Sequence, residues 1–569
     1  MPADRGELDL SMREQASFHP LERGKREQRA LASAFHPVCR RDGNDMASTT
    51  RGPHPEPAAG SWTFTRYMGA AGMGLIGTTL LSIAASLPGA PFAFKVPGAW
   101  FFGTPSLSQG GGIAQAGAFA LFAELVCGFT GIILLCRAWW MIYREVARKP
   151  GRNPRDLAGI LVVWMVPILI APPMFSDDIY SYAAQGEMVS HHISPYLYGP
   201  GVLGATPFAS LAQGIWISTP SPYGPFFSGL EGGIVQLTGH RALLAVVLLR
   251  LLAVVGVGLI AAFLPSLARS YGGDPATAFS LGVLNPLVLL FLIGSGHNDA
   301  LMIGLLVAGL SVARRGHFTW GIVLCALAGA IKLPGLVGVF AIAWTSPGAA
   351  FSGWRRCLSL AKATVIAMAT FESLSAIFGV GWGWVHTIGA ADTVTSWITP
   401  FDLAAKLVPT LGRVSHVPVS RIAFLDAAHI VGPALAVAVS LFALRRLPAI
   451  GLPRALGVSL LAVVLLGPIV QPAYLMWGIS ILAITAGLRT AAAIALLSVA
   501  VSLFAVVGLG QLAGEVASLG LLYQLLCILM LAASIVMPIR TVPRRDHSDP
   551  VSRNPIRWSL ARAWNLQGA

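Results

Sequence analysis

Long apolar runs leave a chain few ways to fold. From about Tyr67 to Met537 this one repeatedly spends stretches such as "ALLAVVLLRLLAVVGVGLIAAFLPSLA", beginning at Ala242, on side chains that avoid water. Runs of about 17–25 such residues match a helix crossing a ~30 Å hydrocarbon core. In lipid the backbone finds no water to bond, and a helix satisfies its own N–H and C=O groups within the run. The composition agrees: 55% of residues are hydrophobic and 11% are charged, against roughly 25% charged in a soluble domain. The expected fold class is all-α, a polytopic membrane bundle of roughly 13 or 14 crossings with further helices in its outer loops.

A net charge of +14 would suit a nucleic-acid binder. Here, however, Lys and Arg cluster between and beyond the apolar runs, the pattern that orients a membrane protein. No nucleic acid is implied. The six cysteines are Cys39, Cys127, Cys136, Cys325, Cys357 and Cys527. Most lie in or beside apolar runs without CxxC spacing, so neither a disulfide framework nor a zinc motif is read from them.

Residues 1–65 are polar, of mixed charge and without lasting periodicity, and read as a disordered cytoplasmic tail. They hold no apolar h-region of a cleavable signal. Met46 opens a more compact start, which would make the residues before it an overlong gene reading. The membrane domain is expected over 66–538 and a basic cytoplasmic tail over 539–569. The first spans fall near 67–87, 115–137 and 157–174. The loop "RAWWMIYREVARKPGRNPRD" carries six Lys/Arg against two acids and is expected inside, so the third span exits outward at Phe175. From Leu157 to His240 no Lys or Arg occurs, as in an exported loop. The first outer loop is therefore 175–225, and a second is 381–425. "RRLPAIGLPR" at 445–454 again reads as cytoplasmic, which brings "QPAYLMW" at 471–477 to the outer side. The protein is expected in the plasma membrane with both termini inside.

Further spans fall near 243–265, 276–295, 298–313, 319–345, 357–380 and 427–443. Two arrangements satisfy the middle of the chain. If 224–239 crosses and 319–345 crosses once, Arg314 and Arg315 face outward against the positive-inside rule. If 224–239 does not cross and 319–345 breaks at "IKLPG" into two short helices, those arginines are inside. Lys332 and "GHND" are then outside. The second arrangement is preferred, because broken helices at membrane depth are tolerated where they line a cavity.

Three polar constellations interrupt the apolar background. In "FSDDIYSYAAQGEMVSHHISPYLYGP", Asp178, Tyr182 and Gln185 share one face of a helix, since residues three and four apart are neighbours. Asp177 points elsewhere, and two adjacent acids disfavour each other's ionisation. An acidic helix start explains the pair equally well, but "SPYLYGPG" and "STPSPYGP" surround it with rigid turns and rings able to stack on sugar, among them Tyr196 and Tyr223. The second constellation, "NPLVLLFLIGSGHNDALM", holds Asn285, His297, Asn298 and Asp299. An Asp at a helix centre in lipid costs about 3 kcal/mol, so these are functional candidates, although Asn298 or Asp299 could simply cap the next helix. Third is Lys332 in "LAGAIKLPGLVG". An intramembrane lysine needs an anionic partner, and a lipid-linked phosphate at the outer boundary would serve; a snorkelling side chain or an internal ion pair explains it as well. Gln471 and Tyr474 of "QPAYLMW" complete the set, though aromatic residues belong at membrane interfaces in any case. His191 and His192 read as solvated.

This ordered set resembles the actinobacterial polyprenol-phosphomannose-dependent α-1,6-mannopyranosyltransferases of lipomannan synthesis, enzymes of the GT-C fold. The residues that carry the resemblance are "SDDIYSYAAQG", "SPYLYGP", "SPYGP", "NPL…GHNDALM", "KLP" and "QPAY", over roughly 60–540. It implies a GT-C-like helical bundle and a catalytic carboxylate in the first outer loop. It also implies a polyprenyl-phosphate-mannose donor and a mannan or lipomannan acceptor. Asp178 matches that carboxylate, as the base that takes the acceptor hydroxyl proton, and Asp177 supports it. Lys332 or His297 would stabilise the leaving phosphate. No DxD stands in the outer loop and no metal is assigned. A divalent cation is compatible with this chemistry, but the sequence does not call for one. Other readings stay open: the same fold with a polyprenyl-phosphate arabinose or glucose, a flippase of polyprenyl-linked glycans, or an inactive scaffold.

Overall fold

The computed structural model describes residues 67–87, 118–212, 214–346, 353–389, 401, 404–405, 408 and 420–507. All of them belong to the compact unit that begins at Trp62. The tails 1–65 and 539–569, most of the loop 381–425, and Cys39 and Cys527 lie outside the described residues. Regular structure among the described residues is entirely helical.

Among the described residues, five helices are long and apolar enough to cross a bilayer: Met68–Ser86, Phe122–Arg148, Ala242–Ser270, Gly353–Phe378 and Arg421–Arg445. A bent pair, Val288–Gly294 with Asp299–Arg314, turns by 110° at its break and makes a sixth if taken as one span. Most other expected crossings are shorter pieces, such as Phe318–Gly329, Leu452–Leu466 and Pro472–Ala483. A 12-residue helix such as Pro472–Ala483 rises only about 18 Å. Hydropathy counts apolar residues and does not see where a helix stops.

The stops have local causes. Pro154–Ile170 runs into Pro172 and Pro173, which cannot continue it. Val288–Gly294 is a π-helix that ends at Ser295, and Gly296 follows at φ 70°, a conformation glycine adopts without penalty. The expected break at "IKLPG" is present: Phe318–Gly329 ends, a 3-10 turn occupies Leu333–Leu336, and a new helix begins at Val337. Pro225–Leu237 forms a helix of 13 residues, too short for a span at 1.5 Å per residue.

Every residue from Ala278 to Ser311 is buried within the protein, including the polar "GSGHND" turn. By contrast, large apolar side chains on Gly353–Phe378 and Arg421–Arg445 are exposed, with Ile377 at 73% and Ile430 at 74%. Such a surface suits lipid and not water. The chain is a polytopic membrane protein.

The helix breaks leave carbonyls without helical partners at depth, and Arg250 collects three of them. Its Nε donates to the carbonyl of Ile293 at 2.9 Å, Nη2 to that of Gly294 at 2.9 Å, and Nη1 to that of Ala171 at 2.5 Å. The segments that follow these carbonyls are also tied to one another. Met174 N–H donates to the Gly294 carbonyl at 3.0 Å, and Ser295 Oγ–H to that of Met174 at 2.8 Å. A hydrogen bond to a charged group contributes about 1.5–3 kcal/mol, and a buried carbonyl left bare costs a similar amount. Replacing Arg250 by Met should therefore cost about 3 kcal/mol or more. Thermal unfolding in detergent should show a markedly lower midpoint for Arg250→Met, with Arg250→Lys lying between it and the wild type. An unchanged midpoint would show that water satisfies those carbonyls.

Candidate active site

Asp178 opens the helix Asp178–Ser190, where the chain leaves the "APPMFS" turn. Phe175 holds φ 68° to make that turn, an uncommon conformation for a bulky residue. Its ring rests on Phe291, 5.5 Å between centroids. Asp177 stands at the N-cap position, half-buried and without a side-chain capping bond. Asp178 is only 6% exposed, and its N–H donates to Ser176 Oγ at 3.2 Å. One turn on, Tyr182 hydrogen-bonds the Asp178 carboxylate. Tyr223 O–H donates in turn to the Tyr182 hydroxyl at 3.4 Å. The shared helix face expected for Asp178 and Tyr182 therefore becomes part of a buried polar row. Gln185, on the same helix, is 2% exposed, and its Oε1 has no hydrogen-bond partner.

Tyr223 reaches this row because the "SPYGP" turn docks on the "AIK" break. Gly224 N–H donates to the Ile331 carbonyl at 3.2 Å, and Phe226 N–H to that of Ala330 at 3.1 Å. A Cβ on Gly224 would lie 2.4 Å from the Ala330 carbonyl oxygen, so the approach needs glycine.

The second carboxylate, Asp299, is fully buried at the start of Asp299–Arg314. Lys332 Nζ donates to its two oxygens at 3.1 and 3.2 Å, and Trp477 Nε1–H to Oδ1 at 2.6 Å. Of the two partners expected for Lys332, the internal ion pair is formed. Aromatic faces enclose the ammonium: Tyr474 at 3.9 Å, Trp477 at 5.4 Å and Tyr223 at 5.8 Å from ring centroid to Nζ. Each such contact attracts a cation to the ring quadrupole. His297 Nδ1 stands between the carboxylates, 3.4 Å from Asp178 Oδ2 and 3.7 Å from Asp299 Oδ2, without a hydrogen bond to either.

Several expected residues have other positions or partners. Asn298 occupies the N-cap position but makes no capping bond. Its side-chain oxygen and nitrogen are buried without a hydrogen-bond partner. Asn285 ties two helices together, donating to Ser498 Oγ at 2.7 Å. Tyr196 O–H donates to Ser228 Oγ at 3.3 Å, and its ring packs with Ala330, Phe371 and Trp384 in a separate apolar cluster. Gln471 stands half-buried at the start of Pro472–Ala483 without a capping bond. Sequence reasoning missed Trp477 and Arg250. Trp477 carried a signal, since it lies three residues after Tyr474 and shares its helix face. Arg250 carried one too, as the lone charged residue in an apolar run, but its carbonyl partners are distant in the chain and could not be read from it.

Burial pushes the Asp178 carboxyl up to about 6. The Asp299 charge adds to this rise, while Lys332 and the hydrogen bonds from Ser176 and Tyr182 oppose it. Burial likewise raises the Tyr182 and Tyr223 hydroxyls well above the ordinary phenol range, so both stay protonated as donors. Chemically, the site offers a carboxylate poised to take a proton near neutral pH and a fixed cation a short way off. Asp299 already spends both oxygens on Lys332 and Trp477.

Residues 71–348 match the family described as alpha-(1->6)-mannopyranosyltransferase, N-terminal domain, and residues 402–538 match the MptB C-terminal domain. A probable alpha-(1->6)-mannopyranosyltransferase of Mycolicibacterium smegmatis is 34% identical over 71% of this chain and 77% of its own. An alpha-(1->6)-mannopyranosyltransferase of Mycobacterium tuberculosis is 31% identical over 75% and 81%. Alpha-(1->6)-mannopyranosyltransferase B of Corynebacterium glutamicum is 31% identical over 61% and 63%. No solved structure matches the chain.

Breaking the Asp299–Lys332 pair from one side leaves a charge uncompensated in an apolar cage. Asp299→Leu alone should cost about 3–5 kcal/mol, whereas Asp299→Leu with Lys332→Met should recover much of that loss. Unfolding midpoints of the two variants measured side by side check this. A double variant no more stable than the single would mean that the pair's energy does not reside in its charges.

Proposed function

The chain belongs to the actinobacterial alpha-(1->6)-mannopyranosyltransferase family, and we propose that it moves mannose from a polyprenyl monophosphate to a mannan or lipomannan acceptor at the extracytoplasmic face of the plasma membrane. It is a glycosyltransferase and a multi-pass membrane protein. The outer-face reading draws support from the absence of Lys and Arg between Leu157 and His240.

One observation carries the mechanism: a buried carboxylate, Asp178, with no lysine or arginine salt bridge among the described residues, shares a polar cluster with a caged cation, Lys332, which is followed in the chain by residues that line an apolar groove. The groove is a cavity of about 280 Å³ lined by Leu336, Phe340, Ala363, Met368, Phe371 and Trp382, among others. Leu336 ends the 3-10 turn that begins immediately after Lys332. A lipid phosphate laid across this junction has its chain in the groove and its phosphate at the ammonium. Asp178 takes the proton of an acceptor hydroxyl as that oxygen attacks the anomeric carbon. The bond from that carbon to the phosphate oxygen breaks with inversion from β to α, and the electron pair leaves on the polyprenyl phosphate. Lys332 stabilises the charge that develops there. Asp299 and Trp477 hold Lys332 in place, and His297 spaces the two carboxylates. Tyr182 and Tyr223 orient Asp178. Gln185 Oε1 and both side-chain amide atoms of Asn298, which have no partner, are available to sugar hydroxyls.

Membranes carrying either the wild type or Asp178→Asn at matched levels, supplied with radiolabelled polyprenyl-phosphomannose and a short α-1,6-mannoside, test this reading. The wild type should transfer label, and Asp178→Asn should lose about 10²–10⁴ in rate. Equal transfer by both would remove Asp178 as the base. Transfer from polyprenyl-phosphoarabinose or polyprenyl-phosphoglucose alone would overturn mannose and leave the fold intact. The pH dependence has a definite sign. A base must be unprotonated, so kcat/KM should fall as pH drops through about 6. A profile flat from about pH 5 to 7 would place the titrating base elsewhere.

A further inference from the structure

A second polar cluster lies at the other end of the helix that carries Asp178. Glu187 is in its last turn, His191 caps its C-terminus, and His240 follows the helix Pro225–Leu237. Glu187 Oε1 is 3.1 Å from His191 Nε2, and Oε2 is 2.7 Å from His240 Nδ1. The ligand-capable atoms of all three residues lie within 4.8 Å of one another. The rings of His191 and His240 face each other at 5.4 Å, tilted by 34°.

The placement of His240 depends on an unusual backbone. Gly239 at φ 59° and His240 at φ 57° are consecutive left-handed residues, and His240 N–H returns to the Val235 carbonyl at 3.1 Å. That reversal turns the imidazole back toward Glu187. The carboxylate side chain is 9% exposed, while the imidazoles of His191 and His240 are 56% and 44% exposed. An anionic oxygen is thus fixed from below, with two imidazole nitrogens presented at the rim. Arg241, the adjacent cation, is exposed at the start of the next helix, and no other Lys or Arg occurs back to Leu157.

We propose that Glu187, His191 Nε2 and His240 Nδ1 form a zinc site with water in the fourth position. Two imidazole nitrogens and a carboxylate are a donor set that suits Zn²⁺. Tetrahedral bonds of about 2.0–2.1 Å need ligand atoms about 3.3 Å apart. The His191 and His240 nitrogens stand 3.1 and 2.7 Å from different oxygens of Glu187; with one oxygen bound, the three ligand atoms start within 4.8 Å of one another, and rotation of the exposed imidazoles brings them to that spacing. Bound there, the ion does not touch Asp178, which lies at the opposite end of the same helix. It fastens the C-terminal end of the Asp178 helix to the C-terminal end of the helix that follows Tyr223, so both halves of the Asp178–Tyr182–Tyr223 row share one anchor. The sequence read His191 as merely solvated, because His240, the second imidazole of the cluster, lies 49 residues away.

The test uses the full chain purified in detergent, loaded with zinc sulfate, desalted and assayed for metal by mass spectrometry. The wild type should retain about one zinc per chain. Glu187→Gln and the double variant His191→Gln/His240→Gln should lose it, and His192→Gln, next to the cluster, should keep it. Chelation should lower the unfolding midpoint of the wild type, zinc should restore it, and the double variant should respond to neither. Zinc content in the wild type no higher than in a monodisperse double variant would overturn the site, leaving a hydrogen-bonded His–Glu–His cluster.

Discussion

A guanidinium inside a lipid-facing bundle sets the terms for everything around it. Helices that stop inside the protein strand carbonyl groups that side-chain methyls cannot satisfy. Arg250 resolves this for two stops at once, bonding the carbonyls of Ala171, Ile293 and Gly294. Its fork of fixed donors can serve several acceptors together, which a lysine cannot match. With those ends secured, the chain can run through "PPMFSD" and "SGHND" as non-helical turns inside the protein. Asp178, His297 and Asp299 all lie on or directly after these turns, so the polar cluster depends on a residue that carries no chemistry in the proposed reaction.

The cluster divides two carboxylates between two conditions. Asp299 is neutralised by Lys332 and bonded by Trp477. A buried ion pair of this kind is weak evidence for stability, since desolvation offsets most of its attraction. What it does secure is position: the ammonium is held among the rings of Tyr223, Tyr474 and Trp477. Asp178 has no such direct cation and feels burial first, which moves its carboxyl toward neutrality. One environment therefore yields a fixed cation and a carboxylate able to exchange a proton.

Some of this could be read without coordinates. Helical spacing put Asp178, Tyr182 and Gln185 on one face, and the "IKLPG" break followed from charge bias. The family followed from ordered short motifs. Other features could not be read. The internal partner of Lys332 was one of two alternatives until Asp299 was seen beside it, because spacing along a chain says nothing of what meets across it. Tyr196 and Tyr223 sit in similar Ser-Pro-Tyr turns, yet Tyr223 joins the cluster through the close approach of Gly224 to Ala330, while Tyr196 packs against Phe371 and Trp384. Trp477 looked like an interfacial aromatic until its indole N–H was found on a buried carboxylate.

By itself the sequence determined the solvent, the helical class, the one helix break at "IKLPG" and the family, since each follows from local composition, charge bias and short motifs. Only the tertiary structure decided which stops meet, which carboxylate is neutralised and which is left to titrate. Those outcomes depend on contacts between residues tens to hundreds of positions apart, and a chain's local chemistry constrains such contacts without selecting among them.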